Sequence, residues 1–530
     1  MAVCAMSIIL IACDNASQNS RTTQDITLAA PDLNNLPEEQ IDKTSNSDTI
    51  NEGAFNTEDY DHIIENKFLS VMQQPLSTFS IDVDRASYSN VRRFIENGSL
   101  PPKGAVRIEE MINYFDYDYS PPTDTNPFAI HTEIATCPWN TKHKLVQIGL
   151  QGKKFSTDSL PSSNLVFLID VSGSMDEPNK LPLVQESLKL LTEQLREKDN
   201  VAIVVYAGNA GLVLPSTNGS EKEKIEQSID ALSAGGSTAG GEGIQLAYKI
   251  AEENMKPHGN NRVILATDGD FNVGASSDDE LVELIEKERQ TGIYLSVLGF
   301  GMGNYKDNKM QQLADKGNGN HNYIDNLNEA KKVLVNEFGG TLFTIAKDVK
   351  LQVEFNPALV SAYRLIGYEN RTLANEDFND DKKDAGELGA GHTVTALYEI
   401  IPAGIKDTMI KSVDELKYQS RKTLVYNNNE LMNVKLRYKE PESEESKLLT
   451  YPVINSEGDW QQASDNFKLS ASIAEFGLLL RESSYKQNSS FGQTLAIAKS
   501  AEGKDKNGYR REFVKLIEEA EALKNKNNLD

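Results

Sequence analysis

FLIDVSGSMDEP, residues 167–178, leaves an apolar run and at once lines up a carboxylate and two hydroxyls at alternate positions: Asp170, Ser172 and Ser174. Phe167, Leu168 and Ile169 read as the end of a buried strand. A turn needs Gly or Ser, but it does not need that spacing. In an extended loop alternate side chains project the same way, so three oxygens at this spacing can converge on one cation. Three readings compete: a metal site, a nucleophile on a sharp turn, and a strand end with a capped helix behind it.

Working outward, residues 162–340 alternate short apolar strands with amphipathic helices. LVFLID (165–170), VAIVVYA (201–207), RVILATD (262–268) and IYLSVLGFG (293–301) are the strong strands; GLVLP (211–215) and HNYID (321–325) are weaker. Helical periodicity covers 180–198, 222–232, 241–255, 279–290 and 327–337. Near-continuous apolar strands between helices predict a mostly parallel sheet covered on both faces. In such sheets ligands bind beyond the carboxyl ends of the strands. Asp170 and Asp268 are each the last residue of an apolar strand, so both fall on that edge.

SAGGSTAGGEG (233–243) adds Thr238 in a glycine-rich loop before a helix, and ATDGDFN (266–272) carries Asp268. Taken singly, Ser172, Ser174 and Thr238 are acceptable helix caps and Asp268 an acceptable turn residue. Five oxygens gathered at one sheet edge are a hard-cation set, suited to Mg2+, with Mn2+ or Ca2+ as substitutes. Three of the five are neutral hydroxyls, so the ion stays electrophilic and its remaining position suits a carboxylate from a protein partner. Asp176, Glu177, Asp270 and Asn272 read as rim residues.

Asp170-Val171-Ser172-Gly173-Ser174, Thr238 and Asp268-Gly269 resemble the metal-ion-dependent adhesion site of von Willebrand factor type A domains, over residues 162–340. The resemblance implies a doubly wound, Rossmann-like α/β fold. It implies Asp170, Ser172, Ser174, Thr238 and Asp268 as the metal set, and adhesion or envelope-complex assembly as the role. A scaffold subunit working with a separate ATPase in trans is the alternative. The flanks resemble the extensions of bacterial envelope lipoproteins that carry such a domain.

The rest of the chain frames this domain. Residues 2–12, AVCAMSIILIA, are too short to span a bilayer, and Leu10-Ile11-Ala12-Cys13 resembles a lipobox. The expected plan is a signal peptide over 1–13 with Cys13 lipidated, and a disordered tether over 14–56. An N-terminal extension covers 57–155, the central domain 162–340, and a C-terminal extension of strands then helices 345–530. The extensions are expected to build a β-rich unit from both sides of the central domain. Asp82 and Asp84 read as solvent-facing strand-end residues, and VRIEEMINYFDYDY (106–119) as an amphipathic helix. The expected location is a bacterial cell envelope, with the chain anchored to a membrane by lipid.

Composition excludes some functions. With 54 Lys and Arg against 79 Asp and Glu among 530 residues, the net charge of −25 repels phosphate backbones, so nucleic acid is not an expected partner. The three cysteines, Cys4, Cys13 and Cys137, lack zinc-ligand spacing. The six histidines are scattered and read as surface or packing residues. No G-x-S-x-G, phosphate-binding loop or H-E-x-x-H pattern occurs, so no catalytic residue is assigned and no enzyme is expected. A metal-dependent hydrolase is the weakest fit.

Overall fold

A computed structural model describes residues 58–156, 159–237, 240–269, 278–337, 343–410 and 429–527. Cys13 and the expected tether lie outside the described residues, as does Thr238. Strands are numbered along the chain.

The quoted run ends β5 (Ser163–Asp170), which is buried along its whole length. It pairs in parallel with β6 (Asn200–Tyr206) on one side and β8 (Asn260–Thr267) on the other. Beyond β8 lie β9 (Ile293–Gly299) and β10 (His321–Tyr323), both parallel. Beyond β6 lies β7 (Ala210–Asn218), the one antiparallel member of this six-stranded sheet. Because side chains alternate across a strand, Leu165, Phe167 and Ile169 face one helical layer and Val166 and Leu168 the other. Helices Leu181–Gln194 and Lys222–Asp230 fill the first layer; Gly240–Glu253, Asp278–Thr291 and Asp307–Lys316 fill the second. Each fully buried aliphatic side chain contributes about 1.5–3 kcal/mol, which is why both faces must be covered.

The chain runs from β5 outward to β6 and β7, then crosses back to β8 and leaves the other way through β9 and β10. The direction of winding therefore reverses between β5 and β8. In sheets of this kind ligands bind in the crevice beyond the carboxyl ends of the strands at such a reversal, and the ends of β5 and β8 place Asp170 and Asp268 there. The helix Asp307–Lys316 escapes the sequence reading because DNKMQQLADK offers only Met310, Leu313 and Ala314 to the core.

The flanking unit is built from both sides of the central domain. One sheet runs β1 (Leu69–Ser70), β12 (Val360–Ile366), β14 (Thr393–Pro402), β4 (Asn140–Gly152), β3 (Phe128–Cys137), all antiparallel. The other runs β13 (Gly386–Gly389), β11 (Thr344–Phe355), β15 (Glu430–Lys439), β16 (Ser446–Ile454), with β2 (Leu76–Ser80) also on β11. Their facing sides share one core that includes Ile148, Leu150, Val353, Phe355, Tyr363 and Tyr398. Helices Asp465–Leu480, Phe491–Ser500 and Tyr509–Asn527, with Ala86–Glu96 and Ile108–Asn113, bury Leu145 and Leu397 on the outer side of the first sheet. No helix among the described residues is long and apolar enough to cross a membrane.

Two local expectations are corrected. The helix within 106–119 is only Ile108–Asn113, and it is buried all round, Glu109 and Glu110 included, because the C-terminal helices and the sheet enclose it. Asp84 is buried, not solvent-facing: it accepts from the His321 N–H at 2.8 Å, Gln311 at 3.0 Å and Arg371 at 3.1 Å. Arg371 also pairs with Asp82 at 3.0 Å and Asp315 at 2.8 Å, so the guanidinium supplies the positive charge that this acidic group requires. A second such junction is Arg92, which pairs with Asp325, Glu329 and Glu512 and so ties the central domain to the last helix.

Candidate functional site

β5 delivers Asp170 to the crevice with its carboxylate fully buried. Oδ1 accepts from the Ser172 N–H at 2.9 Å, which folds the chain back sharply after the strand. Oδ2 accepts from the Tyr206 hydroxyl at 3.0 Å and from Thr267 at 3.3 Å, the first across the β5–β6 register and the second from the end of β8. All these donors are neutral. Burial pushes Asp170 up to about 6, against the hydrogen bonds from Ser172, and the charge of Asp268 adds to the rise.

Ser172 and Ser174 turn back over the strand end, with their hydroxyl oxygens 3.1 Å apart. Adjacent ligands of an octahedral ion at ~2.1 Å are separated by roughly 3 Å, so this spacing is the one such an ion would need. The glycine-rich loop reaches the same place. Gly235 donates its N–H to the Val171 carbonyl at 2.8 Å, and Gly173 donates to the Gly236 carbonyl at 3.0 Å. These bonds hold the stretch that leads into Thr238 against the Ser172 turn.

Asp268 follows β8 and is also buried, but its surroundings differ. Its Oδ2 accepts from the Lys180 ammonium at 3.0 Å and from the Asn304 amide at 3.0 Å. Burial opposes ionisation, yet Asn304 and the Lys180 charge hold Asp268 below the usual carboxylate range. Gly269 makes the turn possible: at φ +96° an added Cβ would lie 2.6 Å from the Lys306 nitrogen and 2.9 Å from the Tyr305 Cα.

The structure thus brings together Asp170, Ser172, Ser174 and Asp268, four of the five residues read from the sequence; the fifth, Thr238, lies outside the described residues. Among the described residues no group of three or more His, Cys, Asp and Glu side chains is placed to hold a metal. The crevice offers two carboxylates and two hydroxyls instead, a set that suits a hard divalent cation better than zinc or copper. Sequence reasoning missed Tyr206, Thr267, Asn304 and Lys180. Only Lys180 left a local signal. It sits at the N-cap of the helix Leu181–Gln194 with no side-chain capping bond, where a cation opposes the helix dipole.

The sheet order and the site at its winding reversal define a von Willebrand factor type A domain protein, and the family model described as "von Willebrand factor type A domain" matches residues 164–336. A model described as "von Willebrand factor" matches residues 54–147, and one described as "Uncharacterized protein YfbK, C-terminal" matches residues 340–523. The chain belongs to the YfbK family. It is 45% identical over 476 residues to the Escherichia coli (strain K12) protein named "Uncharacterized protein YfbK", spanning 88% of this chain and 81% of that one. It is 26% identical over 190 residues to "Uncharacterized protein sll0103" of Synechocystis sp., across 36% of this chain and 44% of that protein. Among solved structures, "von Willebrand factor type A from Catenulispora acidiphila" aligns over 75% of this chain and 91% of its own, at 16% identity and a TM-score of 0.39.

Proposed function

We propose that this chain is a cation-dependent protein-binding module, tethered to a bacterial membrane. Asp170, Ser172, Ser174, Thr238 and Asp268 hold Mg2+, and an acidic side chain of a protein partner fills the position the chain leaves open. When bound, the ion supplies an electrophilic point that a carboxylate can ligate. The residues of the chain do the rest. Tyr206 and Thr267 fix the orientation of Asp170, the Ser172 and Ser174 hydroxyls present neutral oxygens, and Asn304 fixes Asp268. Adhesion and assembly of envelope complexes both use such capture. Lipid on Cys13, followed by the 14–56 tether, would place the module at the membrane surface.

The observation that carries this reading is the buried Asp170 carboxylate, served only by neutral donors in the bonds described and set beside two hydroxyls at ligand spacing. A nucleophile reading is less well supported. The Ser172 hydroxyl meets the Ser174 hydroxyl and lies next to Asp170, with no imidazole in those bonds to take its proton.

Calorimetric titration of Mg2+ into the protein and into Asp170→Ala tests the ion. Binding lost in the variant supports the site, and equal affinity rejects it. Capture of a partner from envelope membranes should then require Mg2+. Cys13→Ser should release the protein from the membrane; unchanged attachment removes the anchor from the proposal.

A further inference from the structure

Lys180 lies two residues beyond the quoted stretch, and its side chain turns back to Asp268 at the site. The residue is 4% exposed. Its ammonium donates to Asp268 Oδ2 at 3.0 Å and to Asn304 Oδ1 at 3.5 Å. Its stem runs past Gly301, which has φ +74°. A Cβ on Gly301 would lie 2.5, 2.7 and 3.0 Å from Lys180 Cε, Cγ and Cδ, so the backbone there leaves room for this side chain. Asn304 bonds both the ammonium and Asp268, fixing the pair. Meanwhile the position itself disfavours a lysine, because a cation at a helix N-terminus faces the positive end of the dipole. A residue that breaks a local rule and is nevertheless held by three tertiary contacts marks a site that function has shaped.

Charge counting suggests the purpose. Asp170 and Asp268 carry two negative charges and Lys180 returns one positive. These three side chains therefore meet a divalent ion with one net negative charge, and with the ion among them one positive charge is left unmet. Without Lys180 the two carboxylates would balance the ion's charge by themselves, and only its open coordination position, with no charge deficit, would draw a further anion.

We propose that Lys180 is a built-in counter-ion that weakens the site for the cation alone and makes cation and carboxylate ligand bind cooperatively. The inference rests on the cation reading of the site above. Linkage makes the effect reciprocal: by whatever factor the carboxylate tightens the cation, the cation tightens the carboxylate. The module would then hold its ion firmly only when an acidic partner is present.

The test is Mg2+ titration by calorimetry, in chloride and in acetate at matched ionic strength, with acetate as the carboxylate probe. Lys180→Gln keeps a donor for Asp268 and removes the charge; Lys180→Met removes both; Lys180→Arg keeps the charge. Acetate's own affinity for Mg2+ is common to all variants and cancels in the comparison. In chloride, Lys180→Gln and Lys180→Met should bind Mg2+ roughly tenfold more tightly than the parent, within the usual range of coupling. Their acetate-to-chloride affinity ratio should fall toward one, while Lys180→Arg keeps the parental ratio. A folded Lys180→Gln or Lys180→Met with parental or weaker Mg2+ affinity in chloride overturns the role of Lys180. If Asp170→Ala abolishes binding in the same experiment, that failure belongs to Lys180 alone. A parent that binds no Mg2+, or binds it as Asp170→Ala does, overturns both the counter-ion and the cation site beneath it.

Discussion

Tyr206 and Asp170 are register partners on the parallel strands β6 and β5, and the Tyr206 hydroxyl donates to Asp170 Oδ2 at 3.0 Å. The bond spans 36 residues of sequence and turns a strand-end carboxylate into an oriented one. Tyr206→Phe keeps the ring packing and deletes the donor. A hydrogen bond to a charged group is worth about 1.5–3 kcal/mol, so the variant should lose stability on that scale. Outer partners of a ligand typically carry 10–100-fold in metal affinity, so Mg2+ binding should weaken roughly tenfold or more. Calorimetry with parental affinity would remove Tyr206 from the site.

Gly269 and Gly173 flank the crevice with opposite tolerance for a side chain. Gly269→Ala forces a Cβ against the backbone of Tyr305 and Lys306 at φ +96° and should cost about 1–3 kcal/mol in denaturant unfolding. Gly173→Ala meets only the Gly236 carbonyl oxygen, at 3.4 Å, and should stay within about 1 kcal/mol of the parent. Equal costs for the two would contradict the close approach described at Gly269.

Arg92 is 2% exposed and serves Asp325, Glu329 and Glu512 together. Removing one partner of a buried ionic group leaves the other charges uncompensated, which costs about 3–5 kcal/mol. Arg92→Met should therefore lower the urea midpoint strongly, although it adds apolar surface to the core. A loss below about 1 kcal/mol would mean that the junction is not energetically coupled to folding.

His143 sits between Glu399 at 2.6 Å and Asp407 at 3.1 Å, with Asn140 on the Nε2 side and Arg364 and Gln487 on the Glu399 carboxylate. Burial opposes protonation of the ring, but the two carboxylates prevail and raise His143 above 6.5. The charged imidazole thus stabilises the folded state. That contribution is full below the unfolded value and is lost as pH rises through the folded one. The melting-temperature gap between the parent and His143→Gln should be wide near about pH 6 and narrow near about pH 9. A gap constant with pH would remove the charge from His143.

How much of this was legible in the sequence depended on where each signal lay. β5, β6, β8 and β9 carry near-continuous apolar runs, so strand type and sheet class follow from periodicity alone, and strand-end position puts Asp170 and Asp268 on one edge. The helix Asp307–Lys316 was not legible, since a short polar segment owes its form to the sheet it packs on. Asp84 was misread because one aspartate looks the same in a loop as it does beside a buried arginine 287 residues away.

The sequence by itself determined the α/β class, the central parallel sheet and the oxygen-bearing residues at its edge, because each is encoded in residues close together along the chain. Tertiary structure decided which of those oxygens meet cations. Lys180 goes to Asp268 and not to Asp170; Asn304 bonds both Lys180 and Asp268; Tyr206 and Thr267 take the Asp170 carboxylate. These pairings join residues 36 to 124 positions apart, and apart from the ill-placed lysine at a helix N-cap the chain carries no local trace of contacts that only the closing of the sheet creates.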